Sequence, residues 1–319
     1  MIFANMIVPD ILLQSFLLLY LFQFIQFVET KNNKSVFLMS LWLILAFLTK
    51  PIIYPFFILH ILIISYWLLK QKKAFLILAT FIPLCFLSTY GFFMKEKTGF
   101  FHFSSVQGLN LLKYNLRGFH TFKYGTDKAT QFYDSEMEIV NLEPDFQNWY
   151  KKMNETAKDS IKSNLGAYSF YHFYKSARYF IEPGKGEIDL FTGYNNFDIM
   201  NQGNQESFYT QFEKNGWRGA FDYFFNYPWF PFILLIVFFN FVRFFGFLIF
   251  LYNKKVPLYF RFIMAVYVFY FALVTGPISE YTRYYLPVLL ITSMCAAIGY
   301  GAVWEKWSKR RNKNKSLIV

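Results

Sequence analysis

Leu45-Ala46-Phe47-Leu48-Thr49-Lys50-Pro51-Ile52-Ile53-Tyr54-Pro55 lies inside an apolar run of 35 residues, Ser35 to Leu69, whose only charged side chain is Lys50. The run is too long for one membrane crossing, since ~20 residues span the hydrocarbon. Pro51 and Pro55 lack the amide hydrogen a helix needs, and their rings clash with the preceding turn. The stretch therefore predicts two short helices, 36–49 and 52–70, meeting in a hairpin at one membrane face with Lys50 at its tip. A charge within such a run is costly in lipid and marks a functional candidate. Two readings of Lys50 stand: a lysine snorkelling to the headgroups, or a fixed ammonium for an anionic group at the water–lipid boundary.

Composition points the same way. Of 319 residues, 55% are hydrophobic and 24% aromatic, with 44 Phe and 24 Tyr, while 16% are charged. Soluble domains carry about 25% charged residues, so the chain reads as an integral membrane protein. The net charge of +12 is unevenly spread. Residues 96–227 hold 14 Lys and Arg against 16 Asp and Glu, and the remainder holds 18 against 4. The excess flanks the apolar segments, as the positive-inside rule requires, and no nucleic-acid partner is implied. Cys85 and Cys295 are far apart in apolar segments, which excludes a disulfide framework or a cysteine metal cluster. The first apolar run has no basic leader and contains Asp10, so it does not read as a cleavable signal.

The fold class expected is an α-helical polytopic membrane protein of about seven spans with a mixed, mainly helical extracytoplasmic cap. Four spans fall in 1–95: about 11–28, the hairpin pair, and 74–94 with Pro83 as a kink. The cap occupies 96–227, three spans near 229–252, 257–276 and 284–304 fill 228–304, and 305–319 is a basic tail. With the tail cytoplasmic, alternation puts Lys254/Lys255, Lys70/Lys72/Lys73 and Lys31/Lys34 on the same side. Lys50, the cap, Gly276 to Arg283 and Asp10 then face outward. Lys95 and Lys97 are exceptions, at the start of a long loop where the rule is weak. Within the cap, apolar spacing by threes and fours predicts helices over 145–165 and 168–180. The cluster Pro183-Gly184-Lys185-Gly186 reads as a turn, and the Asn- and Gly-rich stretch 193–204 as a loop.

Four outward features carry chemistry. Lys50 with Tyr54 is the first. Glu280-Tyr281-Thr282-Arg283-Tyr284-Tyr285-Leu286-Pro287 is the second, where the Arg283 fork suits a pair of phosphate oxygens or anchors an interfacial belt. Asp10 is the third, a base or a helix N-cap. The fourth, Gln107 to Arg117, is rich in amide and basic groups that could hydrogen-bond a sugar or cap helices. Elsewhere plainer readings prevail: Arg243, three residues after Asn240, pairs internally or snorkels, and His60 is a packing residue.

In their order along the chain these stretches resemble the membrane-embedded C-type glycosyltransferases, including the dolichyl-phosphate-mannose protein mannosyltransferase-like and aminoarabinose-transferase-like families of bacteria. Leu48-Thr49-Lys50-Pro51 resembles the family hairpin, and Val8-Pro9-Asp10-Ile11-Leu12 the acidic start of the preceding helix. Asn110-Leu111-Leu112-Lys113-Tyr114-Asn115, the stretch from Tyr171-His172 to Glu182-Pro183-Gly184, and Arg283-Tyr284-Tyr285-Leu286-Pro287 are similar to three later elements. The resemblance implies transfer of a sugar from a polyprenyl-phosphate donor to a lipid, glycan or protein acceptor at the outer face of the bacterial inner membrane. By the same resemblance Lys50, Tyr54, Arg283 and Tyr284 bind the donor phosphate, and Asn110, Asn115, Arg117 and His172 the sugar or acceptor. The family's catalytic acid lies on an exported loop between helices with no counterpart before Asp10. The chain thus resembles the family fold entered at its third helix, with Asp10 or Glu280 as substitute base; a truncated product, a mis-called start, or a split gene whose other chain supplies the missing helices are the alternatives the resemblance leaves open. Partners expected are the polyprenyl-phosphate sugar donor and membrane lipid. The resemblance fixes no cofactor and leaves a divalent metal open. A lipid-linked sugar flippase and a non-catalytic membrane subunit are the rival readings.

Overall fold

The computed structural model describes residues 2–105, 107–184, 188, 192, 208–276 and 285–315. Among them every regular element is helical. Five stretches of the described residues are long and apolar enough to cross a membrane: Pro9–Thr30, Ala74–Thr98, Phe230–Tyr252, Leu258–Thr275 and Leu286–Arg311. The chain is a helical membrane protein. Its described residues divide into two compact units, the first within 1–176, 266–278 and 286–288, the second within 177–265, 279–285 and 289–319.

In the first unit α1 (Ile2–Thr30) is followed by α2 (Lys34–Thr49) and α3 (Phe56–Lys70). The break at Lys50 falls where the prolines require it. Lys50 leaves the helix in an extended conformation (φ −146°, ψ 119°) while its amide still donates to the Ala46 carbonyl at 2.9 Å. A 3₁₀ turn, Pro51–Ile53, then carries the chain to α3, which begins at Phe56 rather than at 52. At the far end of α2, Lys73 Nζ donates to the Lys31 carbonyl at 2.5 Å and to Asn33 Oδ1 at 2.6 Å, tying two basic turns together.

The stretch 74–94 departs from a simple kinked span. Ala74–Phe81 is 3₁₀, and α4 (Ile82–Thr98) starts only there, with Pro83 in its first turn. Proline's fixed φ suits the first turn of a helix. The change of helix type thus takes the place of a mid-helix kink.

Between α4 and the last spans lie α5 (Gln107–Asn110), a π-helical turn (Leu111–Leu116), α6 (Arg117–Tyr124), α7 (Thr126–Asn141), α8 (Phe146–Ser163) and α9 (Leu165–Arg178). The last two match the helices expected from periodicity. Asp145 caps α8, accepting from the Asn148 amide at 2.8 Å. These helices have their own core of Leu112, Leu116, Phe119, Val140, Met153, Ala157 and Tyr171, all fully buried. Gly118 makes that closure possible, since a Cβ there would stand 2.3 Å from the Tyr171 hydroxyl.

The second unit contains α10 (Phe208–Phe225), α11 (Phe230–Tyr252), most of α13 (Leu286–Lys315) and the N-terminal part of α12 (Leu258–Thr275). α11 and α13 approach until backbones touch. A Cβ on Gly299 would meet the Gly246 carbonyl oxygen at 2.3 Å, and one on Gly246 would meet Ala296 Cβ at 2.6 Å. Small residues allow this close packing where no hydrophobic force draws helices together in lipid. The outward side of α11 shows Phe238, Phe239 and Phe245, a surface that hydrocarbon covers.

Candidate functional site

The site is built in the first unit around the break at Lys50. The N-cap reading of Asp10 does not hold, because α1 begins at Ile2 and Asp10 lies in its third turn, after Pro9. From there its carboxylate reaches Lys50 Nζ in a direct ion pair. Asp10 is 2% exposed, whereas the Lys50 side chain keeps 23% of its surface open. The lysine expected to wait for an anion thus already faces one. A carboxylate so buried needs a paired charge, since desolvation would otherwise penalise its ionised form.

Neighbouring polar groups hold the break in place. Tyr270 on α12 donates to the Ile52 carbonyl at 2.6 Å, satisfying a backbone acceptor that the 3₁₀ turn leaves over. Gln14, one turn beyond Asp10 on α1, donates to the Leu286 carbonyl at 2.6 Å, and Tyr267 donates to the Pro287 carbonyl at 2.8 Å. Tyr54 accepts from Gln107 Nε2 at 3.4 Å and packs against Phe103 at 5.1 Å. Lys50, Tyr54, Asp10 and the start of the Gln107 stretch are therefore drawn into one region.

Three predicted site residues, Glu280, Arg283 and Tyr284, lie outside the described residues, as do Lys185, Gly186 and the loop 193–204. The remaining ones are placed but mostly engaged elsewhere. Arg117 donates to Thr130 Oγ1 at 3.2 Å and lies over the Tyr133 ring at 5.2 Å. His172 contacts the Leu273 carbonyl through Nε2 at 2.7 Å; a carbonyl only accepts, so Nε2 is the donor. Asn110 ends α5, and Asn115 sits in the π turn with a buried Oδ1 that has no hydrogen-bond partner among the described residues. Single π turns recur at functional sites, and nothing in the apolar spacing of the sequence signals this one.

Gln14 and Tyr270 escaped sequence reasoning. Gln14 is four residues after Asp10, hence on the same helix face, which is the signal that could have found it. Tyr270 had no local signal, because its partner lies 218 residues away. Among the described residues no group of three or more His, Cys, Asp or Glu side chains gathers to hold a metal. Arg243 pairs internally, as expected, with Asn240 and Tyr285.

No family model matches the chain, and no curated protein or solved structure matches it either. The glycosyltransferase resemblance therefore stands on the motifs alone, and the function must be argued from the site.

Proposed function

We propose that the chain is a membrane glycosyltransferase that moves a sugar from a polyprenyl-phosphate donor to an acceptor hydroxyl at the outer face of the bacterial inner membrane. The observation that carries the reading is the Asp10–Lys50 pair at the broken helix. It unites a carboxylate able to take a proton with a cation able to meet a phosphate. The acceptor oxygen attacks the anomeric carbon, the bond from that carbon to the phosphate oxygen breaks, and the electron pair leaves with the polyprenyl phosphate. Asp10 takes the hydroxyl proton, and Lys50 turns from Asp10 toward the departing phosphate, whose charge it stabilises. Tyr54 borders the phosphate, and Asn110 and Asn115 offer amides to the sugar.

In the same reading α2 and α3 also cross, making seven spans, with α5–α9 as the extracytoplasmic cap. Their 16 and 15 residues extend about 24 and 22 Å at the α-helical rise. Lys34 and Lys70 at their outer ends suit short spans whose flanking lysines reach the headgroups. The basic turns around Lys31 and Lys73, which touch, face the cytoplasm by the positive-inside rule.

The test is transfer of radiolabelled hexose from a polyprenyl-phosphate hexose by the reconstituted full chain. D10N keeps the side-chain shape and should cut turnover by roughly 10²–10⁴, the range for a lost general base. Transfer at the wild-type rate in D10N removes Asp10 from the chemistry. No transfer by the wild-type chain from any of a pooled set of polyprenyl-phosphate sugars sinks the reading.

A further inference from the structure

In the second unit the chain leaving α9 runs beside a membrane-crossing helix. The Tyr179 ring meets Tyr285 edge-on at 5.0 Å, and Phe180 lies 4.9 Å from Phe244. The Glu182 carbonyl accepts from Asn240 Nδ2 at 3.0 Å. Asn240 is near the middle of α11, so residues 179–182, which are not helical, lie at half its length. Irregular backbone persists at such depth only against protein or a polar cavity.

What it meets there is Arg243. This side chain donates through Nη2 to Asn240 Oδ1 and through Nε to the Tyr285 hydroxyl at 3.1 Å, with its guanidinium 4.9 Å from the Tyr285 ring centre. The same hydroxyl lies 3.2 Å from Thr292 Oγ1. Thr292 follows the start of α13 by six residues, about 9 Å along the axis. The guanidinium is thus inside the apolar length of two helices, and Asn240 and Thr292 beside it are buried, at 7% and 1% exposure.

All of these neighbours are neutral. Among the described residues no carboxylate stands within ion-pairing distance of Arg243, and Glu182, whose carbonyl meets Asn240, pairs its carboxylate with Arg178 at 2.7 Å. A guanidinium does not give up its proton, so it cannot relieve the burial by becoming neutral. Two of its donors are engaged, and a planar fork with donors left over matches two oxygens of a phosphate. We infer that Arg243, aimed by Asn240 and Tyr285, is a binding site for a phosphate group presented within the membrane. The site shares no residue with the Asp10–Lys50 pair and stands whether or not the transferase reading does.

Native mass spectrometry of the full chain in neutral detergent tests this with phosphatidylglycerol as probe and phosphatidylcholine as reference. The wild type should retain phosphatidylglycerol preferentially. R243Q, which keeps a polar group for Asn240 and Tyr285, should lose that preference by roughly tenfold or more, the scale of a charge-assisted hydrogen bond. Asn240→Asp sets a carboxylate beside the retained arginine and should lose it too, so N240D decides where R243Q fails to fold. Displacement of the lipid by millimolar inorganic phosphate identifies the free anion as a sufficient ligand, and no displacement identifies the headgroup. Equal retention of both lipids by the wild type, or unchanged preference in the two variants, overturns the assignment.

Discussion

Lys50 and Arg243 are both cations among apolar helices, and the two units accommodate them differently. Lys50 stands at a break in the helix, where a carboxylate from another helix meets it, so the pair is neutral as a whole. Arg243 stands on an unbroken helix in a cradle of amide and hydroxyl groups, and among the described residues no carboxylate pairs with it. An anion reaching Lys50 must share or displace Asp10, whereas an anion reaching Arg243 completes the neutralisation. The first arrangement suits a group that must release what it holds, and the second suits steady retention.

The sharpest way to break this contrast is Lys50→Ala. It strands the buried Asp10 carboxylate and should lower stability by about 3–5 kcal/mol, as loss of one partner of a buried pair does, read as a drop in Tm of the purified full chain. The exchange Asp10→Lys with Lys50→Asp should recover most of that loss but no transferase turnover, separating pairing from chemistry. A Tm in Lys50→Ala equal to wild type denies the pair any structural role.

A smaller effect is expected where the Arg243 cradle depends on helix contact. Gly246→Leu forces a side chain against Ala296 and Tyr300 and should cost about 1–3 kcal/mol through overpacking, with lost phosphatidylglycerol preference. Smaller again is the response of the α5–α9 region to acid. Burial, and then the nearby Lys123 charge, lower the pKa of His120, whose Nε2 lies 3.2 Å from Ser160 Oγ. The unfolded chain therefore binds a proton first, so the stabilisation is present above about pH 6.5 and is lost as pH falls below it. H120Q should flatten that slope in a pH series of Tm values. Asp145→Ala, finally, removes an exposed cap and should cost about 1 kcal/mol, a reference against which the buried Asp10 can be weighed.

Much of the helical layout was legible. Pro51 and Pro55 mark the break after Thr49, and apolar spacing marks α8 and α9. Two features misled. Asp10 next to an apolar run reads as a cap, yet the helix continues through Pro9 to Ile2. Pro83 inside an apolar run reads as a kink, yet it opens α4 after a 3₁₀ run. Both errors concern where a helix begins, which depends on hydrogen bonds that neighbours several turns away help to satisfy.

Taken alone, the sequence determined which segments are apolar, where prolines interrupt them and which few charges they contain. Those properties arise from sterics and hydrogen bonding within a few residues. Only the tertiary structure decided that Asp10 faces Lys50 across 40 residues, that Tyr270 closes the turn behind it, and that Arg243 meets the Tyr285 hydroxyl. A charge at a given position fixes the need for a partner, but the partner is supplied by whichever helix packs alongside.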